Sequence, residues 1–174
     1  MKIAILGYSG SGKSTLSRFL AQRHALPCLH LDSVHHLPGW ETRPMEESLA
    51  IVGTFLTEHD SWVIDGNYSK LHYEQRLEQA DQIILLLFNP INCLMRVRKR
   101  YKAYRNTVRP DMAAGCPEKL DWEFVRWILR DGRSASAKDR YRRIIHQFPC
   151  KVTVIKNQRQ LDKFMKTRQQ KELS

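Results

Sequence analysis

The feature that most constrains this chain is a glycine-rich turn directly behind an apolar run. Ile3-Ala4-Ile5-Leu6 leads into Gly7-Tyr8-Ser9-Gly10-Ser11-Gly12-Lys13-Ser14, and Thr15 follows. The spacing is G-x-x-x-x-G-K-S, the phosphate-binding P-loop. Consecutive backbone N–H groups wrap a dense anion only where the chain turns tightly, and glycine permits that turn. A helix starting near Gly12 aims its unpaired N–H groups and positive dipole end at the same phosphates. Lys13 supplies a mobile charge for the β- and γ-phosphates, and the Ser14 hydroxyl is a hard oxygen ligand for Mg²⁺. The context fits: Leu16, Phe19 and Leu20 fall on one helical face behind the loop.

The rest of the chain alternates strands and helices. Pro27–Asp32 reads as a short strand ending in an acid, and 33–43 as a loop. Pro44 opens a helix with Leu49, Val52, Phe55 and Leu56 on one face. Trp62-Val63-Ile64-Asp65 is a third strand, turning at Gly66-Asn67 into a helix over Tyr68–Gln79. Ile83–Phe88 has the unbroken apolar character of a strand buried on both faces of a parallel sheet. Asn89 caps and Pro90 starts the next helix. A loop covers 106–120, Asp121 caps a short helix, another helix covers about 135–147, Val152–Ile155 is a fifth strand, and 158–170 a last helix.

This order predicts an α/β, three-layer P-loop NTPase fold with a five-stranded parallel sheet and helices on both faces. The reading is one domain over 1–174, with an acceptor-binding insert at about 33–60 and a short helical lid at about 105–135. In such sheets ligands bind outside the carboxyl ends of the strands. That rule gathers Gly7–Thr15, Asp32, Asp65, Phe88 and Asn89, and Lys156 and Asn157 on one edge.

Composition narrows the setting. No apolar run approaches the ~18–20 residues that span a bilayer, and the apolar N-terminal stretch is too short for a signal peptide. Cys28, Cys93, Cys116 and Cys150 show no C-x-x-C pair, so they read as reduced thiols of a cytoplasmic protein with no membrane partner. The net charge of +11 is uneven. Residues 1–90 hold seven Lys and Arg against ten Asp and Glu, a net −3, and residues 91–174 hold 22 against eight, a net +14. The second half therefore meets an anionic partner or presents a solvated basic face.

Asp65 ends an apolar strand, where a Walker-B acid would hold Mg²⁺ beside Ser14; an Asx-turn with Gly66-Asn67 is the other reading. Asp32 would accept the proton of an acceptor hydroxyl, orient it or bind a sugar, or else serve as a cap. His35 reads as a substrate contact or plain exposure, because the neighbouring His24, His30 and His36 have no common metal spacing. Arg96 and Arg100 share a helix face at i and i+4 and can reach a transferring phosphoryl group together. Arg105 and Arg109 border the lid loop, and Arg76 is a candidate for an acceptor phosphate. Trp40, Trp62, Trp122 and Trp127 read as core or lid packing before base stacking.

Strand–P-loop–helix, Trp62-Val63-Ile64-Asp65-Gly66 and Leu94-Met95-Arg96-Val97-Arg98-Lys99-Arg100 are similar to the adenylate kinase-like nucleoside monophosphate kinases. His30-Leu31-Asp32, Asp65-Gly66-Asn67-Tyr68-Ser69, Arg76 with Ala80-Asp81, and Gly115-Cys116-Pro117-Glu118 resemble the bacterial DNA topology modulation protein family (FlaR-type) over about 1–155. The resemblance implies Asp65 as the magnesium-site acid and Arg96 and Arg100 as arginines flanking the nucleotide phosphates. Asn67-Tyr68-Ser69 stands where adenylate kinases have F-P-R, and the four-cysteine lid is absent, so acceptor contacts do not carry over.

Two function classes follow. One is an ATP-dependent phosphotransferase that uses Mg²⁺ and a small acceptor, a nucleoside, nucleotide or related hydroxyl compound. The other is a DNA-associated protein whose P-loop is regulatory or vestigial. DNA is allowed but not required by the sequence, and the oligomeric state is open.

Overall fold

Five short apolar segments pair into one sheet because their side chains have no exposed face to spare. They are β1 (Lys2–Gly7), β2 (Cys28–His30), β3 (Trp62–Asp65), β4 (Gln82–Leu86) and β5 (Val152–Ile155), all parallel in the order β2-β3-β1-β4-β5. The computed structural model describes residues 1–105, 107–109 and 111–170. Asn106 and Pro110, which the lid-loop reading includes, lie outside the described residues.

Alternation along β1 divides the core. Ala4 and Leu6 face one layer with Val52, Leu56, Leu77, Tyr141 and Ile144. Ile3 and Ile5 face the other with Leu16, Leu20, Cys93, Val97 and Leu161. The helices of the first layer are α3 (Met45–Glu58), α4 (Tyr73–Gln79) and α7 (Ala135–Gln147). Those of the second are α1 (Lys13–Arg23), α5 (Pro90–Ala103), α6 (Trp122–Leu129) and α8 (Gln158–Gln170). Residues Ile3–Leu6 and Ile83–Leu86 have no solvent exposure, which is why those runs read as continuous rather than alternating. Each such aliphatic side chain contributes about 1.5–3 kcal/mol by leaving water. The fold is thus the three-layer α/β architecture expected.

Register sets the site. Asp65 pairs with Ile5 on one side and His30 on the other, and Gly7 pairs with Leu86. The loops after β1, β2 and β3 therefore leave the sheet along one edge.

Three local expectations are corrected. Leu31 and Asp32 do not extend β2. They start α2 (Leu31–His35), because the chain turns at His30, whose carbonyl accepts a hydrogen bond from Ser33 Oγ at 2.7 Å. Residues 68–72 are not helical. Arg76 donates from Nη2 to the Tyr68 carbonyl and from Nε to that of Leu71, both at 2.8 Å, and His72 sits at φ 47°, so α4 begins only at Tyr73. β4 ends at Leu86 rather than Phe88, although Leu87 N still donates to Ile155 O at 2.8 Å.

Candidate functional site

The P-loop is held at its start by Asn67. Its Oδ1 accepts from Gly7 N–H at 3.0 Å and its Nδ2 donates to Gly7 C=O at 2.7 Å. Further on the loop lies against α5. Gly10 has φ 77°, and a Cβ there would stand 2.6 Å from Val97 Cγ2; a Cβ at Gly12, φ 95°, would run into the Arg96 guanidinium. Only glycine meets both the left-handed backbone and the close approach. α1 then begins without a side-chain cap, so its first N–H groups are left for an anion. Lys13 Nζ folds back to the Tyr8 carbonyl at 3.4 Å. The Ser11 hydroxyl is buried and unpartnered inside the loop.

The described residues that follow α5, the stretch expected to form a lid, pack over this edge. Glu118 is 7% exposed and is bracketed by Arg100, Nη2 at 2.6 Å, and Arg109, Nε at 2.5 Å. Arg109 also reaches Asp111, Nη1 to Oδ2 at 2.8 Å, while Arg18 stands 3.9 Å from Asp111 Oδ1. Burial and the neighbouring Arg109 hold the Arg100 pKa below its usual value, against the pull of Glu118. For Asp111 burial acts upward, but Arg109, the Ser14 hydroxyl and Arg18 outweigh it and hold the carboxyl below its usual range. The lid docks on the insert: Gly39 N–H donates to Gly115 C=O at 3.0 Å, Trp40 Nε1 to Pro117 C=O at 3.2 Å, and Cys116 Sγ to Leu37 C=O at 3.1 Å.

On the opposite wall Tyr68 OH donates to Asp32 Oδ1 at 2.9 Å. Burial, with Asp32 next to it, raises the Tyr68 pKa, so the phenol stays a donor. His35 packs its ring on Tyr68 at 4.7 Å and on His36 at 4.8 Å, and His36 packs on Trp40 at 5.3 Å. The Nδ1 atoms of His35 and His36 are buried without hydrogen-bond partners. The result is a ring-lined subsite with one carboxylate in it.

A single cavity of about 1350 Å³ joins these walls. It is lined by Ser9, Gly10, Gly12, Lys13, Ser14 and Thr15 of the loop, by Asp32 and His35, and by Arg96, Arg100 and Arg109. Those sequence-derived candidates are brought together. Gly7, Tyr8 and Ser11 do not line it; Gly7 is clamped by Asn67, and Ser11 N–H donates to Tyr8 C=O at 3.1 Å.

Other candidates lie elsewhere. Asp65 is 2% exposed and faces α1 and β2: Ser17 Oγ donates to its Oδ2 at 2.5 Å, and His30 Nδ1 sits 3.0 Å away. Burial alone would lower the His30 pKa, but hydrogen bonds to Asp65 and Cys28 win and push it up to about 10. Arg76 is 1% exposed and spent on the Tyr68 and Leu71 carbonyls, so it offers nothing to an acceptor phosphate; burial pushes its pKa down to about 10. Arg105 is exposed and outside the cavity lining. Lys156 is exposed, and Asn157 caps α8 by accepting from Gln160 N–H at 2.9 Å; their neighbour Gln158 lines the cavity instead.

Sequence reasoning missed Asn67 as the P-loop clamp, Asp111 and Glu118 as lid acids, and Arg133, whose guanidinium lies 3.8 Å over the Tyr8 ring and donates to Phe88 C=O at 2.9 Å. Trp127 is half exposed and donates from Nε1 to Ser9 Oγ at 3.2 Å, so it lies on the P-loop rather than in the core.

Magnesium fits this donor set. It keeps several waters and needs only one or two protein oxygens. The cavity offers a P-loop hydroxyl and carboxylate oxygens, all hard ligands. Among the described residues no three His, Cys, Asp or Glu side chains gather as a dedicated metal cluster, which a partly hydrated ion does not require. Among them also, no helix is long and apolar enough to cross a membrane.

No protein-family model and no curated protein matches the chain. Solved structures share its fold. Shikimate kinase from Acinetobacter baumannii in complex with shikimate superposes with a TM-score of 0.60 at 20% identity, over 99% of this chain and 92% of that one. Deoxyadenosine kinase from M. mycoides with bound dATP gives 0.54 at 15%, over 96% and 98%. Shikimate kinase from Bacteroides thetaiotaomicron gives 0.53 at 15%, over 100% and 99%. The chain has the fold of these small-molecule P-loop kinases.

Proposed function

We propose that this chain is a cytoplasmic, magnesium-dependent phosphotransferase that moves the γ-phosphate of ATP to a small hydroxyl-bearing acceptor, a nucleoside, nucleotide or related compound. The observation that carries this reading is the one cavity in which the P-loop faces the Asp32–Tyr68 subsite, with Arg96, Arg100 and Arg109 along the same lining. A triphosphate cradle and an acceptor carboxylate sharing one cavity is the arrangement that in-line transfer needs.

The roles follow from position. The loop amides and Lys13 hold the triphosphate, and Ser14 serves the magnesium ion. When bound, that ion neutralises charge on the β- and γ-phosphates. Asp32 accepts a hydrogen bond from the acceptor hydroxyl and takes its proton as the new O–P bond forms and the bond to the β-phosphate oxygen breaks. Tyr68 fixes the carboxylate for that task. Arg96, Arg100 and Arg109 oppose the negative charge on the equatorial oxygens, and the docked lid excludes water that would otherwise take the phosphoryl group.

The resemblance to the DNA topology modulation proteins also allows DNA association, and beyond that resemblance the reading has only the basic charge of residues 91–174 behind it. The discriminating measurement is ADP release with Mg²⁺ and ATP across nucleosides, nucleotides and other hydroxyl acceptors, with shikimate and deoxyadenosine included because the fold neighbours are kinases of those names. One acceptor class stands well above background if the proposal holds. Lys13→Ala lowers that rate by about 10²–10³-fold or more. Flat background for every acceptor, or full turnover by the variant, rejects the reading.

A further inference from the structure

The cavity lining contains five acids: Asp32, Asp111, Glu118, Asp121 and Glu123. Four are held away from the phosphate cradle or lie in the open, and the fifth, Asp111, has only its Oδ2 taken, by Arg109 at 2.8 Å. Asp32 holds Tyr68. Glu118 is bracketed by Arg100 and Arg109. Asp121 caps α6 by accepting from Phe124 N–H at 2.7 Å. Glu123 is exposed on the first turn of α6. Asp111 is different. It is 5% exposed, and its Oδ1 faces α1, 3.9 Å from Arg18, whose Nε donates to the Ser14 carbonyl at 3.3 Å in the same cavity lining.

A carboxylate set against the phosphate cradle is unfavourable for a bare triphosphate, since like charges a few ångströms apart in a water-poor site repel strongly. A divalent cation between them reverses the sign. Magnesium takes one or two carboxylates together with phosphate oxygens, and Ser14 already marks where it sits. Asp65, at the β3 end, takes Ser17 and His30 on Oδ2 and does not line the cavity. The carboxylate that faces Ser14 comes from the lid.

Resting on the kinase reading above, we propose that Asp111 is a lid-borne ligand of the nucleotide's magnesium ion, direct or through one water, and that the lid therefore closes on metal–nucleotide rather than on nucleotide alone. Arg109, two residues away, ties Asp111 to Glu118 and Arg100, so a metal contact at Asp111 fastens the whole arginine-bearing segment over the loop. The metal then fixes both the phosphates and the cations that act on them.

The test is binding, not turnover. Affinity for the non-hydrolysable analogue adenylyl imidodiphosphate is measured in EDTA and in Mg²⁺. Bound Mn²⁺, standing in for Mg²⁺, is read from loss of the free-ion paramagnetic resonance signal. For the unmodified chain the metal strengthens analogue binding. In Asp111→Asn that metal-dependent gain and the Mn²⁺ affinity fall by about tenfold or more, while affinity in EDTA is unchanged or higher. Asp111→Glu, which keeps the carboxylate, recovers part of the gain. Melting curves of the free variants show that they fold; Arg109 keeps Glu118 as a partner in both. The proposal is overturned if Asp111→Asn keeps the full metal gain, or if it strengthens binding equally with and without metal, the behaviour of a displaced plug. Absence of analogue binding by the unmodified chain would sink the kinase reading as well.

Discussion

Asp65 shows how one side chain answers to its burial before its motif. Its position at the end of an apolar strand suits a metal acid, and the sequence carries no sign that Ser17, 48 residues away in the chain, donates to it at 2.5 Å. A carboxylate 2% exposed keeps its charge only if partners replace water, and His30 is the charged partner. The native fold raises the His30 pKa from 6.5 to about 10. Because the folded value exceeds the unfolded one, this proton stabilises the fold fully below about pH 6.5, and the contribution is lost as pH rises through about 10. His30→Gln removes the cation and leaves Asp65 buried with Ser17 alone, at a cost of about 3 kcal/mol at neutral pH. Urea unfolding of parent and variant across pH 6–10.5 checks both points. The two curves converge toward the alkaline end; parallel curves over that window would mean that His30 is not protonated in the native state.

At the scale of elements the lid is the informative case. The loop after α5 was legible because Arg109, Gly115 and Pro117 punctuate a stretch without periodicity. Its closure was not, because Arg100–Glu118 and the Gly115–Gly39 hydrogen bond join residues far apart in the chain. The same limit explains α2: five residues are too few to show a 3.6 period. It also explains the late start of α4, where Arg76 takes up the Tyr68 and Leu71 carbonyls. β1, β4 and the helices behind them were legible because burial on both faces imposes apolar residues at every position. For the lid, Glu118→Gln keeps the shape and removes the charge that two arginines share. Charge-assisted hydrogen bonds contribute about 1.5–3 kcal/mol each, so opening of the 107–118 segment becomes about 10–100-fold more favourable. Trypsin cleavage at Arg105 and Lys119, which flank the segment, rises correspondingly, while β1 and β4, buried elsewhere, keep their protection from amide exchange. Unchanged cleavage would show that the docking on Pro38–Trp40 holds the lid without the ion pairs.

Across the whole molecule the basic charge divides between the cavity lining and exposed helix surfaces. The net +14 of residues 91–174 includes Arg96, Arg100 and Arg109 of the cavity lining and Arg133 against Tyr8. The remainder stands exposed on several helices, as in Arg98 and Lys102 of α5, Arg142 and Arg143 of α7, and Lys163 and Lys166 of α8. Exposed cations of this kind, spread over helices on both sides of the sheet, attract any polyanion through counterion release, with non-specific dissociation constants of about 10⁻⁴–10⁻⁶ M that weaken steeply with salt. A kinase with a basic back and a DNA-associated protein therefore both retain duplex DNA at low ionic strength, and retention does not separate them. Coupling does. If the basic helices and the cavity act independently, DNA affinity is the same with and without magnesium–ATP, the same in Lys13→Ala, insensitive to supercoiling, and falls by orders of magnitude between 50 and 200 mM salt, about 10³-fold where six phosphates are contacted. ADP release with the best small acceptor is then untouched by added duplex. Filter binding and the coupled ADP assay, run on the same protein over that salt range, measure both. DNA that accelerates ADP release, or ATP that shifts DNA affinity, would tie the two surfaces together and make the nucleotide site a regulator of DNA binding instead of the donor half of a kinase.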